Sequence, residues 1–156
     1  MPDEPPSLHV RWPVPDDWGA PFEGAGGLQG KTGWPEVLAE HDTASGRFVW
    51  IAECAGEVAG MATSRLWSDE LDIEILARNA LSRAARGQRV GHLLLEAALD
   101  LAWSLALSAV TLESLDDAGL VAFYEGEGFV RDGPPIFDAA WGVLHPMRRP
   151  PSFGPP

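Results

Sequence analysis

The chain is poor in basic side chains, in cysteine and in tyrosine, and each shortage narrows what it can do. Eleven Lys and Arg stand against 23 Asp and Glu among 156 residues, giving a net charge of -12. Most of such a surface repels a polyanion, so nonspecific nucleic-acid binding is not expected. A cationic substrate is compatible with the same charge, although acidic surfaces also serve solubility. Cys54 is the single cysteine. No internal disulfide can form, and its apolar strand context fits a buried structural thiol better than a nucleophile. No apolar run approaches the about 20 residues of a membrane span, and the acidic, proline-rich Met1–Pro6 has no targeting character. A cytoplasmic protein with no membrane partner is expected. His9, His41, His92 and His145 show no ligand spacing, so no metal is expected either.

Four of the eleven basic residues are concentrated in one stretch. Arg78, Arg83, Arg86 and Arg89 follow one another with no acidic residue among them. Within this stretch Arg86-Gly87-Gln88-Arg89-Val90-Gly91-His92 runs straight into an apolar helical pattern that lasts from Val90 to about Leu107. Glycines allow a tight turn, and the first N–H groups of a helix have no partner within it, so they and the helix dipole favour an anion such as phosphate. Ala109 to Ser114 then reads as a strand. Asp116-Asp117 opens a short helix that closes in Tyr124-Glu125-Gly126-Glu127-Gly128-Phe129.

The remainder fits one compact domain over residues 1–156, with proline-rich flexible ends near 1–6 and 149–156. Leu8 to Val14 reads as a first strand and Pro35 to His41 as a short helix, separated by a glycine-rich segment from Gly19 to Gly33. Phe48 to Cys54 and Val58 to Ser64 flank Ala55-Gly56-Glu57 as a hairpin. From Glu70 to Ala77, Leu71, Ile73 and Ile75 alternate with Asp72 and Glu74, the pattern of a strand with one polar face. This order of elements predicts an α/β (α+β) layout, a central mixed sheet covered by helices.

The loop and the later Tyr-Glu-x-x-Gly-Phe run together resemble the GNAT superfamily of acyl-CoA-dependent N-acetyltransferases. The family's pyrophosphate loop is Arg or Gln, two residues, Gly, one residue, then Gly or Ala; Arg86 and Gly91 hold its first and last positions, and Tyr124 to Phe129 match the closing motif. Arg89 stands at the usual middle glycine, Asp117 at the frequent Asn and Leu120 at the frequent Ala. Positive φ at Arg89 would disfavour its long side chain, whereas a place in the first helical turn would let it add a phosphate contact. The resemblance implies a GNAT-like, mostly antiparallel mixed sheet flanked by helices on both faces. It also implies acetyl-CoA as co-substrate, without metal, and admits a homodimer. The main-chain groups of Asn79, Ala80 and Leu81 would meet the pantetheine arm, and Gln88, Arg89, Val90, Gly91 and His92, with Arg86 and Gly87, would hold the pyrophosphate. Asp117 is either a further cofactor contact or merely the cap of its helix.

Acyl transfer to an amine requires that the amine lose a proton, that the thioester oxygen be stabilised, and that the departing thiolate gain a proton. Presenting a lysine-like amine as the neutral base at pH 7 costs about 4.6 kcal/mol. Tyr124, the only tyrosine, holds the family's general-acid position and is protonated at neutral pH. Glu74 is the candidate base, provided that a one-residue offset from the family spacing does not turn it to the other face. Glu113, or a plain solvated face, is the competing reading. The implied reaction is transfer of an acetyl group to a primary amine of a small molecule or peptide. The alternatives are another acyl-CoA or carrier-bound substrate on the same fold, or a non-catalytic CoA-binding module. Trp12, Trp18, Trp34, Trp50 and Trp67, with Asp16, Asp17 or Glu23, could wall a pocket for a cationic or aromatic amine, or simply pack in the core.

Overall fold

The computed structural model describes residues 7–14, 17, 41–78 and 89–151. Its strands are β1 (Leu8–Arg11), β2 (Arg47–Cys54), β3 (Glu57–Trp67), β4 (Glu70–Arg78), β5 (Ala109–Leu115), β6 (Val130–Arg131), β7 (Ile136–Asp138) and β8 (Gly142–Arg149). Two α-helices are described, α1 (Val90–Ser104) and α2 (Ala118–Gly126). The eight strands form a mixed sheet: β4 and β5 run parallel, while β1–β2, β5–β8, β6–β8 and β7–β8 are antiparallel. The α+β expectation holds. The expected helix over 35–41 and the glycine-rich segment lie outside the described residues, apart from His41.

By compactness the chain divides into Met1–Ser64 with Ile75–Ala97, and Arg65–Glu74 with Ala98–Pro156. In the first unit, β2 is buried at every position from Phe48 to Ala52. Such an unbroken apolar run marks a strand covered on both faces. Ala55 and Gly56 have φ of 53° and 78°, the two left-handed residues that a tight β2–β3 hairpin needs to match strand twist. β3 contributes small buried residues, Ala59, Gly60 and Ala62. Gly60 is the tightest of them: a Cβ there would lie 2.6 Å from Val90 Cγ1 and 2.8 Å from the Ala77 carbonyl oxygen. The first turns of α1 therefore rest directly on β3 backbone. Gly60→Ala is expected to destabilise the protein by about 1–3 kcal/mol through overpacking, read as a lower urea midpoint at unchanged slope.

β1 stops at Arg11 and not at Val14, because its ladder with β2 ends at Arg11↔Ile51 and Pro13 has no N–H to continue it. Arg11 is then held by carboxylates. Its Nη1 and Nη2 donate to Asp17 at 2.8 and 2.7 Å, and its Nε donates to Glu53. Asp17 is 3% exposed and also accepts the Val14 N–H at 2.7 Å. Burial pushes the Asp17 carboxyl up, but the Arg11 hydrogen bonds, the Val14 N–H and the Arg11 charge outweigh it and hold the carboxyl below its ordinary value. Asp17 thus serves Arg11 and is not an open wall for a cationic substrate.

In the second unit, β5 lies between β4 and β8, and β6 and β7 both pair with β8. α1 ends at Ser104, three residues before the periodicity does, for a local reason. Ala106 adopts φ of 55°, its N–H donates to the Trp103 carbonyl, and the Leu107 N–H reaches back to the Ala102 carbonyl. These are the two bonds of a Schellman cap. Leu107 stays apolar because it follows that cap, not because it extends the helix. At the other end of the chain, Arg149 is not part of a flexible tail, since β8 includes it and pairs it with Val110.

Candidate active site

Asp117 Oδ1 accepts the Leu120 N–H at 2.9 Å, which makes Asp117 the N-cap of α2. This uses one carboxylate oxygen of the residue offered as a cofactor contact. Seven residues on, the sequence Tyr124 to Phe129 forms a second Schellman cap. The Phe129 N–H donates to the Tyr124 carbonyl at 3.0 Å, the Gly128 N–H to the Glu125 carbonyl at 3.0 Å, and Gly128 takes φ of 90°. A glycine is favoured at that left-handed position, and apolar side chains on either side of the cap come together. The Tyr124 and Phe129 rings meet edge to face, with centroids 6.1 Å apart. The Tyr-Glu-x-x-Gly-Phe signature is therefore a folding device that fixes the tyrosine at the last turn of the helix.

Tyr124 is 7% exposed. Burial disfavours the phenolate and pushes the hydroxyl pKa up to about 12. The phenol is neutral and able to donate a proton across the physiological range. With a single tyrosine in the chain, difference absorbance on alkaline titration reads this residue alone. The midpoint is expected near 12 and the signal should vanish in Tyr124→Phe; a midpoint at the ordinary value of about 10 would show an exposed phenol. The fold favours the neutral form, so this contribution to stability is complete below pH 10 and is lost as pH rises towards 12.

At the other motif, the first backbone bond of α1 runs from the Leu93 N–H to the Arg89 carbonyl at 3.1 Å. The N–H groups of Val90 and Gly91 precede it and have no acceptor inside the helix. No acidic side chain occupies the first turn of this 15-residue helix, and Arg89 is exposed. His92 Nε2 lies 3.0 Å from the Glu96 carboxylate, one turn along the helix. The chemistry of this helix start, with an exposed Arg89 and no acidic side chain in the first turn, fits the pyrophosphate of a nucleotide-type cofactor. Asn79, Ala80, Leu81, Arg86, Gly87 and Gln88 lie outside the described residues.

Glu74 keeps the alternation of β4. Leu71, Ile73, Ile75 and Ala77 are buried, while Asp72 is half-buried and Glu74 exposed. No break in that alternation turns Glu74 to the apolar face. The parallel ladder with β5 extends only from Glu70↔Ala109 to Ile73↔Leu112, whereas β5 stays paired with β8 as far as Leu115↔Leu144. Asp72 and Thr111 are register partners, and Thr111 Oγ1 donates to Asp72 Oδ1 at 2.8 Å. Burial raises the Asp72 pKa, and the charges of Glu74 and Glu113 raise it further against the Thr111 bond and Arg65. Glu74 and Glu113, the two competing base candidates, therefore share one carboxylate neighbourhood. Asp72 is the member that sequence reasoning passed over. Its only signal was a place on the polar face of a strand.

Arg65, Trp67, Glu70, Asp72 and Thr111 line a cavity of about 220 Å³. The Arg65 guanidinium lies 5.0 Å from the centroid of the Trp67 ring, and Arg148 Nη1 donates to Glu70. Of the other tryptophans singled out, Trp50 is buried and Trp12 is 43% exposed, in a ring cluster with His41 and Phe48. Trp18, Trp34, Asp16 and Glu23 lie outside the described residues.

The sequence pattern of the acetyltransferase (GNAT) domain matches residues 29–150. The chain belongs to the GNAT acetyltransferase family. It is an acyltransferase. Among curated proteins no sequence matches significantly, but solved GNAT structures are similar in fold. Ard1 from Thermoplasma volcanium aligns at TM-score 0.72 and 22% identity over 93% of this chain and 98% of its own. The ribosomal-protein-S18-alanine N-acetyltransferase from Escherichia coli aligns at TM-score 0.71 and 16% identity over 96% and 97%. The spermidine N-acetyltransferase from Vibrio cholerae, solved with CoA and spermine, aligns at TM-score 0.68 and 15% identity over 92% and 95%. Among the described residues no helix is long and apolar enough to cross a membrane.

Proposed function

We propose that this GNAT protein is an acetyl-CoA-dependent N-acetyltransferase, one domain over residues 1–156, that moves an acetyl group to a primary amine by direct attack. The observation that carries the reading is Tyr124, a buried neutral phenol fixed by a helix cap in the family's general-acid motif. Acetyl-CoA supplies the activated thioester. Arg86, Gly87, Gln88, Arg89, Val90, Gly91 and His92 hold its pyrophosphate, through the open N–H groups at the start of α1 and the local positive charge. The main chain at Asn79, Ala80 and Leu81 aligns the pantetheine arm, and Asp117 acts chiefly by capping α2 and so positioning Tyr124.

The nitrogen–carbon bond forms as the carbon–sulfur bond breaks. Tyr124 Oη delivers a proton to the departing sulfur, and Glu74 takes the amine proton. An ordinary carboxylate with pKa near about 4.3 is a poor direct acceptor from an ammonium near about 10.4, so the transfer to Glu74 passes through water. Structures of other GNAT proteins holding CoA support the choice of donor, and the amine acceptors named for the relatives support the choice of nucleophile. Incubation with acetyl-CoA and a panel of amines and amino-terminal peptides, followed by free-thiol release and mass measurement of the product, tests the reading. An acetylated amine is expected; thiol release that no amine accelerates would overturn it.

A further inference from the structure

Three side chains of β8 point to one face of the β5–β8 pair, where two of them reach opposite ends of α2. The register sets Ser114 against His145, Leu112 against Met147 and Val110 against Arg149, and residues two apart on a strand share a face. The His145 Nε2–H donates to Asp116 Oδ1 at 2.8 Å, and Asp116 immediately precedes Asp117, the N-cap of α2. At the other end, the Arg149 side chain lies across Gly128, the left-handed residue that closes the helix. A Cβ on that glycine would sit 3.0 Å from Arg149 Nε, 3.3 Å from Cδ and 3.4 Å from Cζ. Met147, between the two, is 1% exposed.

Neither contact serves the strand itself. His145 is buried opposite Ser114, yet the Ser114 hydroxyl turns to the Leu115 carbonyl at 3.0 Å. The imidazole reaches past this neighbour to a carboxylate whose side chain is 64% exposed. Breaking the bond would leave a buried ring nitrogen unpaired, so the start of α2 cannot drift from β8 without cost. Within the helix there is no acidic residue in the first turn and no basic residue in the last. The carboxylates just before it and the guanidinium of β8 beside its end complement the helix dipole from outside.

We propose that His145 and Arg149 are positioning residues, which clamp the two ends of α2 to β8 and thereby hold the Tyr124 hydroxyl in place for the departing sulfur. The inference rests on the N-acetyltransferase reading for its effect on rate, but not for the clamp. A helix of nine residues is about 14 Å long and too short to be stable alone. Its placement is therefore decided by what its ends touch, and Tyr124 lies in its last turn.

The clamp and the reaction are tested apart. Because the chain has one tyrosine, ring-labelled tyrosine gives the NMR signals of Tyr124 alone, and these respond to the edge-to-face Phe129 ring. Asp116→Ala removes the tether at an exposed side chain and leaves the core intact; Arg149→Met keeps the bulk and removes the charge. Each is expected to shift the tyrosine signals of the folded protein without ligand. Asp116→Asn, whose side-chain oxygen still accepts the His145 bond, and Arg149→Lys should leave them in place. With acetyl-CoA and an accepted amine, Asp116→Ala and Arg149→Met should lower kcat about 10-fold, less than the about 100-fold of a 1 Å misplacement, with KM for acetyl-CoA within about two-fold. A lower Tm with unmoved signals and unchanged kcat would make the contacts merely structural and overturn the proposal, as would shifted signals with unchanged kcat. Shifted signals in a protein that acetylates no amine support the clamp and overturn the reaction instead.

Discussion

Tyr124→Phe is expected to lower kcat by about 100-fold while acetyl-CoA affinity stays within about two-fold, the lower end of what a positioned general acid contributes. The substitution removes one oxygen from a buried ring and leaves the Phe129 contact and the helix cap in place, because both cap bonds are made by main-chain atoms. Loss of turnover would therefore report on the proton and not on the shape of the site. Single-turnover kinetics separates the two, since a slowed chemical step with normal binding is the signature of an interaction made only in the transition state. The Tyr124 phenol keeps its proton until pH approaches about 12, so the deficit should persist across neutral and mildly alkaline pH. Unchanged turnover would take Tyr124 out of the mechanism and leave it as a packing residue.

Arg11→Ala is expected to destabilise the fold by about 3 kcal/mol, because it leaves a buried carboxylate without its partner. Asp17 is 3% exposed and receives two guanidinium bonds as well as the Val14 N–H. For a chain of this length the loss corresponds to a fall in Tm of roughly 6–12 °C. The effect has a pH signature. The Asp17 pKa in the fold lies below its ordinary value near 3.8, so its contribution is complete above that pH and is lost as the pH falls through the folded-state value. The gap between wild type and Arg11→Ala should be full at neutral pH and close in acid. A second variant, Asp17→Asn, keeps the shape and removes the charge; it should cost less than Arg11→Ala, since no unpaired carboxylate remains.

These two sites differ in how far they could be read from the chain. The Tyr124 motif is built from neighbours within seven residues: Asp117 caps the helix start, and Gly128 and Phe129 close its end. A periodic apolar pattern with an Asp before it and a Gly after it suffices to place such a helix. The same holds for the start of α1 and for the Ala55-Gly56 turn. Arg11, by contrast, depends on Glu53, 42 residues away, and no local pattern indicates that pair. The ends of elements were misjudged where a local cap or a lost ladder partner intervened, as at Leu107, Val14 and Arg149.

The sequence by itself determined the family and the tyrosine, because the closing motif is a short segment whose backbone bonds and spacing are satisfied locally. Only the tertiary structure decided which carboxylates act together. It joined Asp72 to Thr111 across 39 residues, withdrew Asp17 into an ion pair with Arg11, and gathered Glu74 and Glu113 around Asp72. Strand register sets those meetings, and burial sets their charge, and neither quantity exists until distant segments pack.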